Sequence, residues 1–322
     1  MIPPRVSVVV PAHNAAPTIT AAIGSALEQA SCAVEVIVVD DASGDATAAV
    51  VAALAARDAR VRLVRNEANL GPAGARNAAI GLARGIWIAL LDADDTFAPG
   101  RLERLVDHAE AEAADLVSDN LLLVDGPTGQ ALCPAWPASL LAAHAWLQPA
   151  AFIDRNRFDR RGIAFGYMKP VIRRDFLDRH KLRFDESLRI AEDYHLFLDC
   201  LLASARWRVL AEPLYRYAMW PGSTSRQLDR KTLQRLLAMS RERYGRREGL
   251  PREVVGALVR RERSIERFLV HVDAAAAFRA GNYRRMLAVL ARRPDALPVF
   301  AEACRQGALK RLGLMPRHRL PV

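Results

Sequence analysis

The chain has 322 residues, 51% of them hydrophobic, which is enough for one large domain, or one domain with an appendage, around a proper core. No stretch approaches the roughly 20 consecutive apolar residues that a membrane-spanning helix needs, and the N-terminal segment turns polar too soon for a signal peptide. We therefore expect a cytoplasmic protein without a membrane span. The four cysteines stand far apart and form no zinc-binding pattern.

The formal net charge of +10 is unevenly distributed along the chain. Residues 226–322 contain 23 Lys or Arg and 9 Asp or Glu, a net +14, which leaves −4 for residues 1–225. The basic character therefore belongs to the C-terminal part alone.

Short apolar runs alternate with segments of helical periodicity over the first 120 residues. The apolar runs are rich in Val and Ile and bounded by turn residues, as buried parallel strands are; they are 6–10, 34–40, 59–65 and 85–92. Helical segments lie between them, and Gly85 is the expected C-terminal glycine of the third. This alternation predicts an α/β fold, a Rossmann-like and mostly parallel sheet flanked by helices, with ligands at the carboxyl ends of the strands.

Beyond residue 119 the pattern loosens into an irregular, proline-marked insertion. Residues 115–125 predict an edge strand, residues 206–219 a final pair of strands, and the apolar segment from about Asp193 a helix. Residues 226–322 are helical, basic and mostly amphipathic. We therefore predict two domains, residues 1–225 and a basic helical C-terminal region, residues 226–322.

Three acids directly follow the fourth predicted strand. Asp92 and Asp94 are two residues apart, so in an extended strand both carboxylates can reach one point. Such a pair suits Mg²⁺ or Mn²⁺, which one or two carboxylates commonly hold while phosphates and water fill the other positions. The alternative is that an acid here only caps the following helix, and capping is the favoured role for Asp95.

Two further segments carry groups that suit a nucleotide. Asp41 follows the second strand, where a carboxylate can accept a hydrogen bond from a nucleobase N–H; capping of its own turn is the alternative. Glycines within residues 69–77 let backbone approach a ligand, and Arg76 is placed to meet a diphosphate. With the acids after the fourth strand, these groups predict a site for a nucleotide diphosphate.

Five motifs occur in order between residues 6 and 198: VSVVVPAHNAAPTI, VEVIVVDDASGDAT, NLGPAGARNAAI, GIWIALLDADD and AEDYHLFL. Together they resemble the motif series of the inverting family 2 glycosyltransferases, which share the GT-A fold. The resemblance implies transfer of a sugar from a nucleotide-diphosphate donor, expected to be a UDP-sugar, to an acceptor hydroxyl. It also implies Mg²⁺ or Mn²⁺ as the cofactor.

The resemblance further implies roles for individual residues. Asp193 would be the catalytic base that accepts the hydroxyl proton, although acids at a helix N-terminus can also be purely stabilising. Asp94 would be the direct metal ligand, with Asp92 as its partner. The implied nucleotide-binding residues are Pro11, Ala12, Asn14, Asp41, Arg76 and Asp92. One departure is Ala191, which stands where relatives often have glycine.

The chain lacks the Q-x-x-R-W motif of processive synthases, which favours addition of a single sugar per encounter. GYMKPVIRRDFL and LRIAEDYHLFL are similar to segments of exopolysaccharide (succinoglycan-type) transferases, which implies a lipid-linked saccharide acceptor in bacterial exopolysaccharide or cell-surface polysaccharide assembly. A dinucleotide-dependent oxidoreductase is disfavoured because the first strand lacks G-x-G-x-x-G. A nucleotidyltransferase and a non-catalytic nucleotide-sugar binding module are the remaining alternatives.

Arg alternates with Glu at helical spacing in the basic C-terminal region. Such a pattern is typical of a solvated structural helix, but it also suits an anionic membrane surface, where each basic residue contributes about 1 kcal/mol. Few aromatic residues are present for base stacking, so we expect no nucleic-acid partner. A lipid-linked acceptor favours peripheral attachment at the inner face of the plasma membrane, and the structural alternative stays open.

Overall fold

The computed structural model describes residues 4–29, 31–160, 162–220, 229–298, 300–301 and 304–305. The chain divides into two compact units. The first comprises the described residues within Met1–Gln148 and Gly166–Pro221, and the second those within Pro149–Phe165 and Gly222–Val322. The predicted boundary between residues 225 and 226 lies outside the described residues and stays a prediction.

In the described part of the chain, nine strands form one sheet. The strands are β1 (Val6–Ala12), β2 (Val34–Asp40), β3 (Val61–Arg65), β4 (Trp87–Leu90), β5 (Thr96–Phe97), β6 (Leu116–Asp125), β7 (Ala131–Pro134), β8 (Val171–Arg173) and β9 (Trp207–Met219). The helices are α1 (Ile19–Leu27), α2 (Thr47–Ala55), α3 (Gly71–Leu82), α4 (Arg101–Ala111), α5 (Ala138–Ala142), α6 (Pro149–Arg155), α7 (Arg174–Arg179), α8 (Glu192–Leu202), α9 (Arg230–Tyr244), α10 (Arg252–Arg279) and α11 (Tyr283–Arg292). Short 3₁₀ turns occupy Phe165–Tyr167 and Pro294–Ala296.

The sheet has the strand order β3-β2-β1-β4-β8-β6-β9-β5, with β7 paired to β6. Strands β1 to β4 are parallel, β8 runs antiparallel to both β4 and β6, and β6 is parallel to β9. Every residue of β2 and β4 is buried, which explains why these strands are continuous apolar runs rather than alternating patterns. The predicted α/β fold with a mostly parallel sheet is confirmed.

Three local predictions are wrong. Strand β6 lies between β8 and β9 inside the sheet, not at its edge. Residues 207–219 form the single strand β9, which follows β6 along its length through two shifts of register. Gly85 does not cap α3, which ends at Leu82; a Cβ at Gly85 would lie 2.5 Å from the Ser7 backbone nitrogen, so close approach to β1 is what requires glycine.

The second unit has a core of its own. Leu233 and Leu237 of α9 are buried with Ile265 of α10, and four partly buried side chains pack against them. These are Phe158, Phe268, Leu269 and Val272. Two long helices and residues near α6 thus share one apolar cluster.

The buried carboxylate of Glu35, near the start of β2, connects the start of β1 with the residues that follow α3. Oε1 accepts hydrogen bonds from Ser7 Oγ at 2.6 Å and from the Arg84 backbone N–H at 2.7 Å, and Oε2 accepts from the Arg84 guanidinium at 2.8 Å. Burial opposes ionisation, but these hydrogen bonds outweigh it and lower the pKa of Glu35 below its usual 4.5. Glu35 therefore stabilises the folded state as an anion.

We expect Glu35→Ala to reduce the free energy of unfolding by about 2–3 kcal/mol at pH 7, because the buried Ser7 hydroxyl and the partly buried Arg84 N–H lose their acceptor. A carboxyl with a lowered pKa contributes fully above its unfolded pKa and loses that contribution as pH falls through the folded pKa. The difference from wild type in urea unfolding should therefore shrink below pH 4.5. Exposed Glu67→Ala is the matched control and should stay within about 0.5 kcal/mol. A difference that is undiminished in acid would contradict the prediction.

Candidate active site

The carboxyl ends of β1, β2 and β4 lie side by side, because these strands are adjacent and parallel. Ala12 at the end of β1 pairs with Asp40 of β2, and the Asp41 amide donates to the Ala12 carbonyl at 2.8 Å. Asp92 follows β4 at the same edge. The structure therefore brings the predicted residues Pro11 and Ala12 next to the acids of the neighbouring strands.

Asn14 ties the loop after β1 to the loop after β2. Its backbone N–H donates to Ser43 Oγ at 2.9 Å, and its side-chain oxygen accepts from the Gly44 N–H at 2.9 Å. Asn14 has φ 51°, in the left-handed region that Asn tolerates better than most residues. Asn14, a predicted nucleotide-binding residue, therefore also holds the two loops together at the sheet edge.

Asp41 is buried, and its carboxylate receives three hydrogen bonds. Oδ1 accepts from Asn66 Nδ2 at 2.7 Å and from the Leu70 N–H at 2.9 Å, and Oδ2 accepts from the Gly71 N–H at 2.8 Å. Asp41 therefore holds the start of α3, and not its own turn. An ionised carboxylate offers about four lone-pair positions, so a position remains for a nucleobase N–H.

Two buried cations join three carboxylates beside this edge. Arg76 Nη2 donates to Asp92 Oδ1 at 2.8 Å, and Arg76 Nη1 donates to Glu192 Oε1 at 2.7 Å. The same Nη1 lies 3.2 Å from Asp193 Oδ1. Lys169 Nζ lies 2.8 Å from Asp92 Oδ2 and 3.0 Å from Asp193 Oδ2. The four residues that alternate in charge, which we call the charge ring, are Arg76, Asp92, Lys169 and Asp193.

The ring residues stabilise one another's charges. Burial disfavours the cations of Arg76 and Lys169. The negative charges of Asp193 and Asp92 outweigh this effect and raise the pKa of Arg76 and of Lys169 well above their usual values. Burial likewise opposes ionisation of Asp92, but the charges of Lys169 and Arg76 lower the pKa of Asp92 well below its usual range. The contacts of Asp92 with Arg76 and Lys169 are therefore ion pairs at neutral pH.

Lys169 is also fixed through its backbone. Its carbonyl accepts a hydrogen bond at 2.7 Å from Nη2 of Arg101, a fully buried residue of α4. Arg101 in turn pairs with Asp119 of β6 at 2.7 Å and lies over the rings of Phe97 and Tyr215. The core below the sheet edge thus sets where Lys169 can place its ammonium group.

Lys169 lies outside the five sequence motifs and was not among the predicted site residues. Lys169 lies two residues before β8, which enters the sheet between β4 and β6. A lysine in the otherwise apolar run MKPVI was the available signal, since lysine is rarely buried without a partner.

Ala191, at the N-cap of α8, has φ 65° and ψ 19°, a left-handed conformation. This backbone turn precedes Glu192 and Asp193, and both side chains reach Nη1 of Arg76. A left-handed conformation costs about 1–2 kcal/mol more for an L-residue than for glycine. Ala191 therefore adopts the left-handed conformation that a glycine would adopt, at an additional cost in conformational energy.

The remaining two acids after β4 differ in environment. Asp94 is exposed; desolvation by nearby protein atoms and the charge of Asp92 raise the pKa of Asp94 to about 6. Asp95 is buried and accepts hydrogen bonds at 2.7 Å from the Tyr215 hydroxyl and from the Ala218 N–H. The prediction that Asp95 caps the next helix is wrong, because its carboxylate binds β9 and α4 begins after Gly100 without a side-chain cap.

Among the described residues, no group of three or more His, Cys, Asp or Glu side chains is arranged to hold a metal ion. Asp92 is engaged by two cations, whereas Asp94 is exposed. An ion that is held mainly by diphosphate oxygens and water requires only one or two carboxylates. Asp94 therefore fits Mg²⁺ or Mn²⁺ of that kind, whereas both oxygens of the predicted partner ligand Asp92 are already paired with cations.

Comparisons with known proteins show what the chain is similar to. The family model for Glycosyl transferase family 2 matches residues 7–179. The succinoglycan biosynthesis protein ExoO of Rhizobium meliloti (strain 1021) is 44% identical over 275 residues, which cover 84% of this chain and 77% of ExoO.

Two solved structures share the fold. The mannosyltransferase PcManGT of Pyrobaculum calidifontis, in complex with GDP-Man and Mn²⁺, has a TM-score of 0.60 at 23% identity and covers 96% of this chain and 81% of its own. TarS 1-349 of S. aureus, in complex with UDP-GlcNAc, has a TM-score of 0.58 at 18% identity, and the match covers 94% of this chain and 92% of the TarS chain. The predicted GT-A fold is confirmed.

Proposed function

The chain belongs to glycosyl transferase family 2 and is a glycosyltransferase, and we propose that it moves one sugar from a nucleotide-diphosphate sugar to an acceptor hydroxyl with inversion. The observation that carries the proposal is the charge ring. It joins Asp193, the predicted base, to Asp92 at the end of β4 through two shared cations. The predicted acceptor and donor residues are thereby brought together at one sheet edge.

Asp193 would act as the base. A hydroxyl is a poor nucleophile at neutral pH, so a carboxylate takes its proton as the new C–O bond forms. Asp193 Oδ2 is paired with Lys169 and Oδ1 lies 3.2 Å from Arg76 Nη1, so the two cations fix the orientation of the proposed base. The bond from the anomeric carbon to the diphosphate breaks as the hydroxyl attacks from the opposite side, and its electron pair leaves with the diphosphate.

Mg²⁺ or Mn²⁺, held by Asp94 with Asp92 beside it, would offset the negative charge on the departing diphosphate. Arg76 has both terminal nitrogens engaged by carboxylates, and Nε has no hydrogen-bond partner in the described part of the chain. We therefore propose that Arg76 serves the diphosphate region mainly by positioning the acids.

The donor is proposed to be a UDP-sugar that lies against Pro11, Ala12, Asn14 and Asp41. Support comes from the shared edge that these residues form and from the free lone-pair position on Asp41. The related folds of TarS and PcManGT bind UDP-GlcNAc and GDP-Man respectively, so the fold itself accepts either base.

For the acceptor we propose a lipid-linked saccharide in exopolysaccharide or cell-surface polysaccharide assembly. The similarity to ExoO, a succinoglycan biosynthesis protein, supports this choice. A lipid-linked acceptor is presented at a membrane surface, so we propose a cytoplasmic protein peripheral to the inner face of the plasma membrane. No helix among the described residues is both long and apolar enough to cross a bilayer.

Calorimetric titration of UDP, GDP and dTDP, with and without Mn²⁺, tests the donor site. We expect one nucleotide to bind in a metal-dependent manner, and Asp94→Ala to weaken that binding by about tenfold or more, as expected when a metal site loses a ligand. Asp175→Ala, on an exposed part of α7, is the matched control. Equal binding with and without metal would remove the proposed role of Asp94, and no binding of any nucleotide by folded protein would refute the donor assignment.

A further inference from the structure

Large apolar side chains are exposed close together in the second unit. Among the described residues, seven large hydrophobic side chains are exposed, and four of them lie between residues 278 and 297. They are Phe278, Tyr283, Leu287 and Leu297. Single exposed apolar residues are ordinary, but a concentration of this kind marks a contact surface.

Three of these side chains form one patch at the α10–α11 turn. Tyr283 and Leu287 are four residues apart on α11 and therefore share a face of the helix; they are 57% and 61% exposed. The ring of Phe278 meets the ring of Tyr283 edge-on, with centroids 5.9 Å apart. Leu290, the buried residue of α11, lies on the same face near the end of the helix, whereas Tyr283 and Leu287 at its beginning are exposed.

Unpaired arginines occur in the same two helices as this apolar patch. Four arginines here are exposed and have no carboxylate within 4 Å among the described residues. They are Arg279, Arg284, Arg285 and Arg292. Their neighbour Arg293 is paired with both Glu266 and Asp295, so carboxylates do neutralise other arginines of this unit. Arg285 and Arg292 also line a hollow together with Arg230 and Asp273, whose carboxylate pairs with Arg230. These arginines therefore carry positive charge that no ion pair neutralises within the part of the chain that the structure describes.

We propose that this α11 face, the apolar patch together with Arg279 and Arg284, binds an anionic lipid bilayer. Leu287, Tyr283 and Phe278 would enter the boundary between headgroups and acyl chains, and the arginines would lie at the lipid phosphates. An amphipathic helix with basic residues beside an apolar face is suited to lie in the plane of the membrane surface. A nucleic acid would leave the apolar side chains in water, and a second copy of this chain would bring like charges together. The inference concerns attachment and does not depend on which sugar is transferred.

Flotation of the full chain with two kinds of vesicle tests the proposal. One kind contains phosphatidylcholine alone, and the other contains equal parts of phosphatidylcholine and phosphatidylglycerol. We expect wild type to float only with the anionic vesicles and to be released at high salt. Arg284→Glu should reduce the partition coefficient at least about fivefold, the contribution of one basic residue near an anionic surface. Leu287→Glu should reduce it by about tenfold or more, since an apolar contact is replaced by a like charge.

Ile86→Glu is the matched control, because Ile86 is an exposed aliphatic side chain of the first unit, 54% exposed. It should float like wild type, and Leu287→Glu should transfer sugar to a soluble acceptor at the wild-type rate. Failure of wild type to bind anionic vesicles, or binding that is unchanged in Leu287→Glu, would overturn the proposal. A loss of self-association in Leu287→Glu without any vesicle binding would assign the patch to a second copy. Vesicle binding without sugar transfer would instead refute the proposed function and leave this inference standing.

Discussion

Asp193→Asn is expected to reduce the transfer rate by about a thousandfold or more, while the affinity for the nucleotide stays within about threefold of wild type. Asparagine has nearly the shape of aspartate but cannot accept the proton of the acceptor hydroxyl. The measurement is a single-turnover transfer assay with saturating donor, accompanied by calorimetric titration of the nucleotide.

Glu192→Gln is the matched control, because Glu192 lies in the same helical turn and contacts the same nitrogen of Arg76. It loses a hydrogen-bonded charge but not the proposed base, so we expect more than about a tenth of the activity to remain. If Asp193→Asn still transfers sugar at a comparable rate, or if Glu192→Gln is the inactive variant, the base assignment is wrong. Retained nucleotide affinity in an inactive Asp193→Asn would separate catalysis from the alternative of a non-catalytic binding module.

Lys169→Met is expected to affect both stability and activity. Methionine fills a similar volume, but Asp92 and Asp193 are then left in a buried site with Arg76 as their shared cation. Removal of one partner from a buried ion pair costs about 3–5 kcal/mol in free energy of unfolding. We also expect a transfer rate at least about a hundredfold lower, because Asp193 loses the group that orients Oδ2.

Urea unfolding and the transfer assay check this prediction, with exposed Lys231→Met as the control. Lys169→Arg retains the charge and should recover part of both stability and rate, limited by the larger guanidinium in a buried position. Wild-type stability in Lys169→Met would show that the ion pairs of the ring do not contribute to folding. Full activity would show that Asp193 does not require Lys169 for its orientation.

The first four strands and the helices between them could be predicted because each is encoded locally, by an apolar run or by helical spacing bounded by turn residues. The same reasoning placed Asp41, Asp92 and Asp193 at the ends of their elements. It could not predict that β8 enters the sheet between β4 and β6, since strand order across a long insertion depends on packing of the whole domain. Lys169 was missed for that reason: its importance lies in partners 77 and 24 residues away.

Asp95 shows a second limit of sequence reasoning. An acid shortly before a helix is a common cap, and the local pattern contains nothing against that role. The carboxylate instead binds Tyr215 and Ala218 of β9, more than 100 residues later. Asp94 and Asp95 are adjacent in the sequence but differ in burial. Strand β9 buries Asp95, which therefore has a structural role, whereas Asp94 stays exposed and available to a ligand.

The charge ring also has a consequence for how the protein is made. Its members leave the ribosome in the order Arg76, Asp92, Lys169 and Asp193, and Lys169 follows Asp92 by 77 residues. At ordinary rates of synthesis this interval lasts about 4 to 15 s, long enough for the parallel strands β1 to β4 to collapse. During that time Asp92 has Arg76 as its only ring cation. A nascent chain can therefore form the parallel edge of its sheet, the proposed nucleotide site, early, but the charge ring is complete only when the segments of β8 and α8 have been made and folded.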